Sequence, residues 1–247
     1  MGILKFNKIR ILETGFNPGP WNMALDEVLL NRCNDGNEPI LRLYGWYPPC
    51  VSIGYFQSIH GEVNLDRCRD LGVDVVRRMT GGGAVLHEFE ITYSFITKKF
   101  PLNMLNSYKL ICEPVTDCIN KLGFKAEYVP LNDIMVENKK VSGNAQTRKN
   151  KTLLQHGTVL LNVDFDKMFS VLKVPQEKLK DKMISDAKLR VNGLNRTFEE
   201  VASQLKNSFS EKFSAQTTED EITEIEKEDC KKKIAQKYSS DKWNHRR

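Results

Sequence analysis

The segment Arg77-Arg78-Met79-Thr80-Gly81-Gly82-Gly83-Ala84-Val85-Leu86-His87 is the densest run of groups that could hold an anion. Three consecutive glycines offer no packing and cost conformational entropy, so strand propensity does not account for them. They let backbone N–H groups approach a ligand closely, as phosphate-cradling loops do. Arg77 and Arg78 add charge that can meet carboxylate or phosphate oxygens in a fork. No Gly-Lys-Ser/Thr follows and the glycines are not spaced as a dinucleotide fingerprint, so neither a Walker loop nor a Rossmann turn is implied. A tight turn beside an exposed arginine pair is the structural alternative. A second group is Asn132-Asp133 with Lys139-Lys140-Val141-Ser142-Gly143-Asn144-Ala145. A lysine before a small Ser-Gly turn can set its ammonium over a phosphate or a developing oxyanion, and Asp133 can hold a cation beside phosphate oxygens. Solvated turn residues are the alternative for both. The third is His156-Gly157-Thr158 within Leu153–Leu161. A histidine on an apolar strand is more often a satisfied core residue, so the residues alone give His156 and His87 no acid–base role.

These groups need elements to position them. Residues 5–13 read as a strand, and Pro20 opens a helix with an apolar stripe of Met23, Leu25, Val28, Leu29 and Leu30. Pro39–Tyr44 and Cys50–Tyr55 read as strands split by Pro48-Pro49, Asn64–Leu71 as a short helix closed by Gly72, and Val73–Arg78 as a strand. A strand around Ile91–Thr97, a helix over Asn106–Leu122 and a strand–turn–strand unit over Ile134–Asn162 follow. Helices are expected at Thr197–Phe213 and Glu219–Tyr238, with no further folding unit at Trp243-Asn244-His245-Arg246-Arg247. The mixed order implies α+β or mixed α/β, with one catalytic domain over 1–247.

The bulk numbers bound the function. The 247 residues, 40% hydrophobic and 9% aromatic, suit an ordinary globular chain with a sizeable core. No apolar stretch approaches the roughly 18 residues of a membrane span, and the N-terminus lacks a signal core. The formal charge of +5 suits anionic ligands or an acidic partner and is too diffuse for nucleic acid. Cys33, Cys50, Cys68, Cys112, Cys118 and Cys230 form no CxxC pair, so reduced thiols and a cytoplasmic location are expected.

Taken together, the three groups resemble the lipoate–protein ligases of the superfamily that also holds octanoyltransferases and biotin–protein ligases. Arg77–His87 resembles RRxTGGGAVxH, Lys140–Ala145 resembles KxSGxA, and Asn132-Asp133 and His156-Gly157-Thr158 match the ND and HGT segments. Trp21–Glu27 resembles the N-terminal helix motif and Val51–Gln57 the strand walling the lipoyl tunnel. Val171–Lys182 and Trp243-Asn244 are similar to short archaeal-type ligases. The resemblance implies an α+β fold of mixed, mostly antiparallel sheets packed with helices, without the bacterial-type C-terminal accessory domain. It implies ATP and Mg2+ as cofactors, lipoate as substrate, an apo lipoyl carrier domain as partner and a separate accessory ligase subunit. Lys140 would be catalytic. Arg78, Gly82, Gly83, Ala84, Val85, Leu86, Asn132, Asp133, Lys140, Gly143 and Ala145 would bind ATP and lipoyl-AMP, with Asp133 at the metal. Tyr44, Val51, Ile53, Tyr55, His87, His156 and Gly157 would line the tunnel.

Octanoyl transfer is the nearest rival. Related transferases form a thioester on a cysteine that would fall within Lys125–Leu131 or roughly Val171–Pro175, and neither window holds one. Glu88–Ser94 departs from the ligase pattern HDxGNxNFSF toward a transferase branch, whereas Gly83, in place of arginine, leans back to ligase. A non-catalytic relative would have little reason to keep Lys140, the glycine triplet and Asn132-Asp133 together, and the GRGRxGR-type loop of biotin ligases is missing.

Overall fold

Strand side chains sort by alternation onto two faces of a large sheet. In β2 (Ile40–Trp46) every residue is buried. Leu41 and Leu43 join one apolar cluster, while Ile40, Tyr44 and Trp46 join another. A strand covered on both faces reads as a continuous apolar run, as this one does. The structure, a computed structural model, describes residues 4–33, 38–173 and 180–247.

The large sheet runs in the order β11 (Gln216–Asp220), β1 (Lys8–Asn17), β2, β6 (Glu90–Thr97), β10 (Thr152–Leu160), β9 (Lys139–Lys149), β8 (Asp133–Val136), β7 (Ala126–Val129). β11 and β2 pair parallel with β1, and the other neighbours are antiparallel. A second sheet holds β4 (Asp74–Arg77), β3 (Cys50–Ile53) and β5 (Val85–His87), with β3 parallel to β4 and antiparallel to β5.

Helices α4 (Met104–Lys121) and α7 (Phe198–Phe213) cover one face of the large sheet with Ile111, Val115, Leu205 and Phe209. The other face meets α1 (Gly19–Arg32) and α8 (Glu224–Lys233). Helices α2 (Ile59–Glu62), α3 (Leu65–Asp70) and α5 (Phe165–Val171) close over the small sheet through Ile59, Val63, Cys68 and Val171. The chain also forms α6 (Lys180–Arg190) and α9 (Asp241–Asn244). This is the α+β arrangement of mixed sheets packed with helices that the sequence implied.

Several elements differ from expectation. Helix α1 is enclosed over the whole of Asn22–Leu30 instead of burying one stripe, because both sheets and α8 surround it. The 134–162 unit is three strands, turned at Glu137-Asn138 and Asn150-Lys151, whose four residues all have positive φ. That is the two-residue hairpin geometry, reached here without the usual glycine signal. The expected Glu219–Tyr238 helix begins only at Glu224, where Thr223 and Glu226 form a capping box, and closes in a π-helical turn, Ile234–Tyr238. Gln216–Asp220 is instead an edge strand, a role its two threonines suit. The terminal residues fold as α9 against β4. Part of the Val171–Lys182 resemblance lies outside the described residues.

Candidate active site

The frame of the site starts on α1. Asn22 and Asp26 stand four residues apart, so they share a helix face, and both meet the fully buried Arg42 of β2. Arg42 donates to Asp26 Oδ1 at 2.7 Å, Asn22 Oδ1 at 2.6 Å and Thr14 Oγ1 at 3.0 Å. Asp26 also accepts from Ser94 at 2.8 Å and from Tyr44 at 3.2 Å. Burial pushes the Asp26 carboxyl up, but Arg42, His156 and Ser94 outweigh it and hold the carboxyl below its usual range. A carboxylate only accepts, so His156 Nδ1–H donates to Asp26 Oδ2 (3.1 Å) and the Thr80 hydroxyl donates to Nε2 (2.8 Å). Burial lowers the His156 pKa, which keeps the ring neutral.

Thr80 leads into the glycine loop, and here the two arginines part. Arg77 is fully buried and donates to the carbonyls of Gly54, Tyr55, Gln57, Trp243 and Asn244. It fastens the C-terminal residues to β4 and is not on the wall of the cavity between the two sheets, so the expectation that Arg77 as well as Arg78 could meet an anion is corrected. Arg78 borders the cavity but is itself 6% exposed. It donates to Ser52 O, Ser52 Oγ, Gly81 O and Gly83 O, and so curls the loop around its guanidinium. Burial brings its pKa down to about 10, which leaves it charged at neutral pH. Gly82 has φ +96°, and its carbonyl oxygen would lie 2.0 Å from a Cβ at Gly54, so the loop closes only with glycines at both places.

Lys140 sits at the start of β9, beside a register shift between Ile134 and Met135 of β8. Its Nζ lies 2.7 Å from Asp133 Oδ1, and both side chains are half-exposed. A Cβ at Gly143 would come within 2.9 Å of Lys140 Cε and 3.0 Å of Nζ. The glycine three residues on is therefore what lets the lysine fold back over its own strand. Asn132 and Asn144 clasp each other: Asn132 Nδ2 donates to Asn144 O at 2.6 Å, and Asn144 Nδ2 to Asn132 O at 2.9 Å. The ND pair thus anchors the strand that carries the lysine.

Between the two sheets lies a cavity of about 400 Å3, within the range of small-molecule sites. Arg78, Gly82, Gly83, Ala84, Val85, Leu86, Asn132, Lys140, Gly143, Ala145, Tyr44, His87, His156 and Gly157 all line it. Asp133 stands behind Lys140. Val51, Ile53 and Tyr55 are corrected, for they are not on its wall. Strand alternation turns Val51 and Ile53 toward Ile59, Val63 and Cys68, while Tyr55 packs on Phe56 and Trp243. The same alternation brings Ser52 to the cavity, with Trp46, Glu90, Thr92 and Met168, none of which sequence reasoning singled out, and Met23 and Asn144 from the named motifs join them. An apolar–polar–apolar Val51-Ser52-Ile53 pattern was the available signal for Ser52.

Cysteines and metals are constrained too. All six cysteines are buried, and none lines the cavity. Burial pushes Cys112 and Cys118 up to about 12 and Cys68 and Cys230 to about 11, so thiolate is scarce at neutral pH. Among the described residues no group of three His, Cys, Asp or Glu side chains could hold a metal alone. Asp133, a single carboxylate paired with Lys140, would suit only a Mg2+ that arrives with phosphates and keeps several of its waters. No described helix is long and apolar enough to cross a membrane.

A glycine loop, a lysine on a hairpin and a cavity of small-molecule size between two sheets form the frame of a ligand-handling enzyme, and comparison with known proteins gives its family. Residues 18–214 match the family described as the lipoyl protein ligase A/B catalytic domain, and the chain belongs to that family. It is an enzyme of the lipoate ligase and octanoyltransferase group. An octanoyltransferase LipM from Halalkalibacterium halodurans is 32% identical over 96% of this chain and 99% of its own. That alignment runs over 272 residues, more than this chain contains, so the relative carries segments missing here. A chain of a bi-partite lipoate protein ligase, studied with its E2 lipoyl domain from Thermoplasma acidophilum, superposes with TM-score 0.89 at 32% identity, covering 98% of this chain and 96% of that one. A lipoate-protein ligase A bound with ATP superposes with TM-score 0.84 at 30% identity, covering 97% and 98%.

Proposed function

We propose that this chain is a lipoate–protein ligase that activates lipoate with ATP and passes the lipoyl group to a lysine of a carrier domain. The observation that carries this reading is a cavity that brings Lys140 and the glycine loop together and presents no thiol. Lipoate's carboxylate attacks the α-phosphorus of ATP, pyrophosphate leaves, and the carrier lysine then attacks the acyl carbon of lipoyl-AMP and releases AMP. Charge develops on phosphate oxygens in the first step and on the acyl oxygen in the second, and the Lys140 ammonium offers one cation to both. Gly82, Gly83 and Ala84 would lend backbone to the adenylate, with Val85 and Leu86 beside it. Gly143 and Ala145 would keep its floor narrow. Asp133 would hold the Mg2+, whose charge offsets that of the phosphates. Tyr44, His87, His156 and Gly157 would border the acyl chain.

The single-domain organisation and a separate accessory subunit belong to this proposal. The bi-partite archaeal neighbour supports the latter. Octanoyl transfer to the same carrier lysine is the second reading, favoured by the likeness to an octanoyltransferase along nearly the whole chain. The two are separated by the intact mass of an apo lipoyl domain incubated with the protein. A lipoyl gain with ATP, Mg2+ and lipoate supports the ligase. A gain only from octanoyl-acyl carrier protein without ATP moves the assignment to transferase. No gain from either, with an archaeal-type accessory subunit added, rejects both.

A further inference from the structure

Two histidines border the cavity, and each joins a hydroxyl to a carboxylate. For His156 the arrangement is closed off. Thr80 and Asp26 are both off the cavity wall, and Asp26 is already paired with Arg42. For His87 all three members, Ser52, His87 and Glu90, though buried, line the cavity.

The register explains how they meet. Ser52 of β3 pairs with Val85 of β5, and His87, two residues on, shares that face. Ser52 Oγ lies 2.7 Å from His87 Nε2, and His87 Nδ1 lies 2.6 Å from Glu90 Oε1. Directions follow from the partners. Arg78 can only donate, and it donates to Ser52 Oγ at 3.1 Å. Glu90 Oε1 only accepts, so Nδ1–H donates to it, and in that neutral tautomer Nε2 is left to accept the serine proton while Oγ accepts from Arg78. Trp46 stacks on the imidazole, 4.1 Å between centroids and 14° between planes, and donates to Thr92, which donates to Glu90 Oε1. Glu90 Oε2 is buried with no hydrogen-bond partner among the described residues. A hydroxyl facing an unprotonated imidazole nitrogen, an imidazole oriented by a carboxylate and a cation beside the oxygen are the three parts of an activated nucleophile.

We propose that Ser52 is an acyl-accepting nucleophile with His87 as its base and Glu90 as a positioning residue, giving the cavity a covalent route from a medium-chain acyl thioester. The route rests on the reading of the cavity as an acyl site and does not need the adenylate. Ser52 Oγ bonds to the thioester carbonyl carbon as its proton passes to His87 Nε2. The C–S bond breaks, and the leaving thiolate takes that proton. In the second half the carrier lysine amine attacks the ester, the C–O bond to Ser52 breaks, and His87 returns the amine's proton to Oγ. The sum is thioester plus amine giving amide plus thiol. A serine in this role accounts for a chain that resembles an octanoyltransferase over nearly its whole length yet puts no thiol on its cavity wall.

The test incubates the whole protein with S-octanoyl-N-acetylcysteamine, without ATP, and follows intact mass and peptide maps. One octanoyl group on Ser52, stable to neutral hydroxylamine, is expected. Ser52→Ala should return the signal to background at a temperature where the variant stays folded. Ser52→Cys should restore an adduct that hydroxylamine removes. His87→Ala should slow acylation by roughly 100-fold or more and regain part of the rate with added imidazole, a rescue that a packing role would not produce. Glu90→Gln should slow acylation and Glu90→Asp recover part of the rate. An unmodified wild-type protein, or octanoyl on Lys140 or a cysteine instead, overturns the proposal. ATP-dependent lipoylation by the same preparation reports separately on the adenylate route.

Discussion

At the scale of single residues, the site depends on one ammonium and on thiols kept out of reach. Lys140→Ala should lower carrier acylation by roughly 100-fold or more, as loss of one oxyanion donor does, about 3 kcal/mol in the transition state. The melting temperature should hardly move, because the side chain is half-exposed and, among the described residues, ion-paired only with Asp133. Full acylation by that variant, measured on carrier mass, would remove Lys140 from the chemistry. The cysteines make the complementary prediction. Iodoacetamide on the native protein should leave acylation intact, because every thiol is buried and those of Cys112 and Cys118 are pushed up to about 12. Inactivation that tracks alkylation of a single cysteine would restore a thioester mechanism.

At the scale of elements, the glycine loop is held from two sides by arginines with different duties. Arg78 curls it from within, and Arg77 ties β4 beneath it to the last turn of the chain. Trp243 Nε1 donates back to Arg77 O, and Asn244 Oδ1 accepts from Arg77 N, so the clasp is reciprocal. Arg77→Ala leaves five backbone carbonyls short of a donor in a buried setting and should cost about 3 kcal/mol of stability. Arg77→Lys should recover little of it, since one ammonium cannot reach a planar fork of acceptors. Removal of residues 243–247 should destabilise in the same sense and should not add fully to Arg77→Ala, as expected of partners in one network. Denaturant midpoints of the two variants and of their combination check this, and simple additivity would refute the clasp.

At the scale of the whole molecule, α1 is joined to the C-terminal segment through Glu27. Burial pushes this carboxyl up, but hydrogen bonds from Lys237 and Tyr238, with the charges of Lys237 and Lys233, outweigh that and hold it at about 2 against an ordinary 4.5. A carboxyl depressed on folding adds stability above its unfolded pKa and loses it as pH falls through the folded value. The protein should therefore lose on the order of 2 kcal/mol between pH 4.5 and about 2 on account of this group. Glu27→Gln should be less stable at neutral pH and flatter with pH across that window. Thermal melts from pH 7 to 2 test both, and equal slopes in the two proteins would count against the link.

The chain's local chemistry settled much of this molecule in advance. The glycine triplet, the KxSG lysine and the HGT strand are short-range patterns, so Arg78, Lys140, Gly143 and His156 were legible, as were α1, α4, α7 and the separate strands β2 and β3. The family, too, could be read from motif order. Other features depend on which face a residue turns to and on what arrives from far along the chain. Alternation in a four-residue strand put Ser52 on the cavity and took Val51 and Ile53 off it, since a one-residue step reverses the face. Arg77 and Arg78 are neighbours in sequence with opposite fates, because one meets a terminus 166 residues away and the other a loop three residues on. Glu90 and Thr92 looked like ordinary strand residues until Trp46 and Ser52, from two other strands, closed around His87. Contacts between distant segments decide such roles, and no local pattern encodes them.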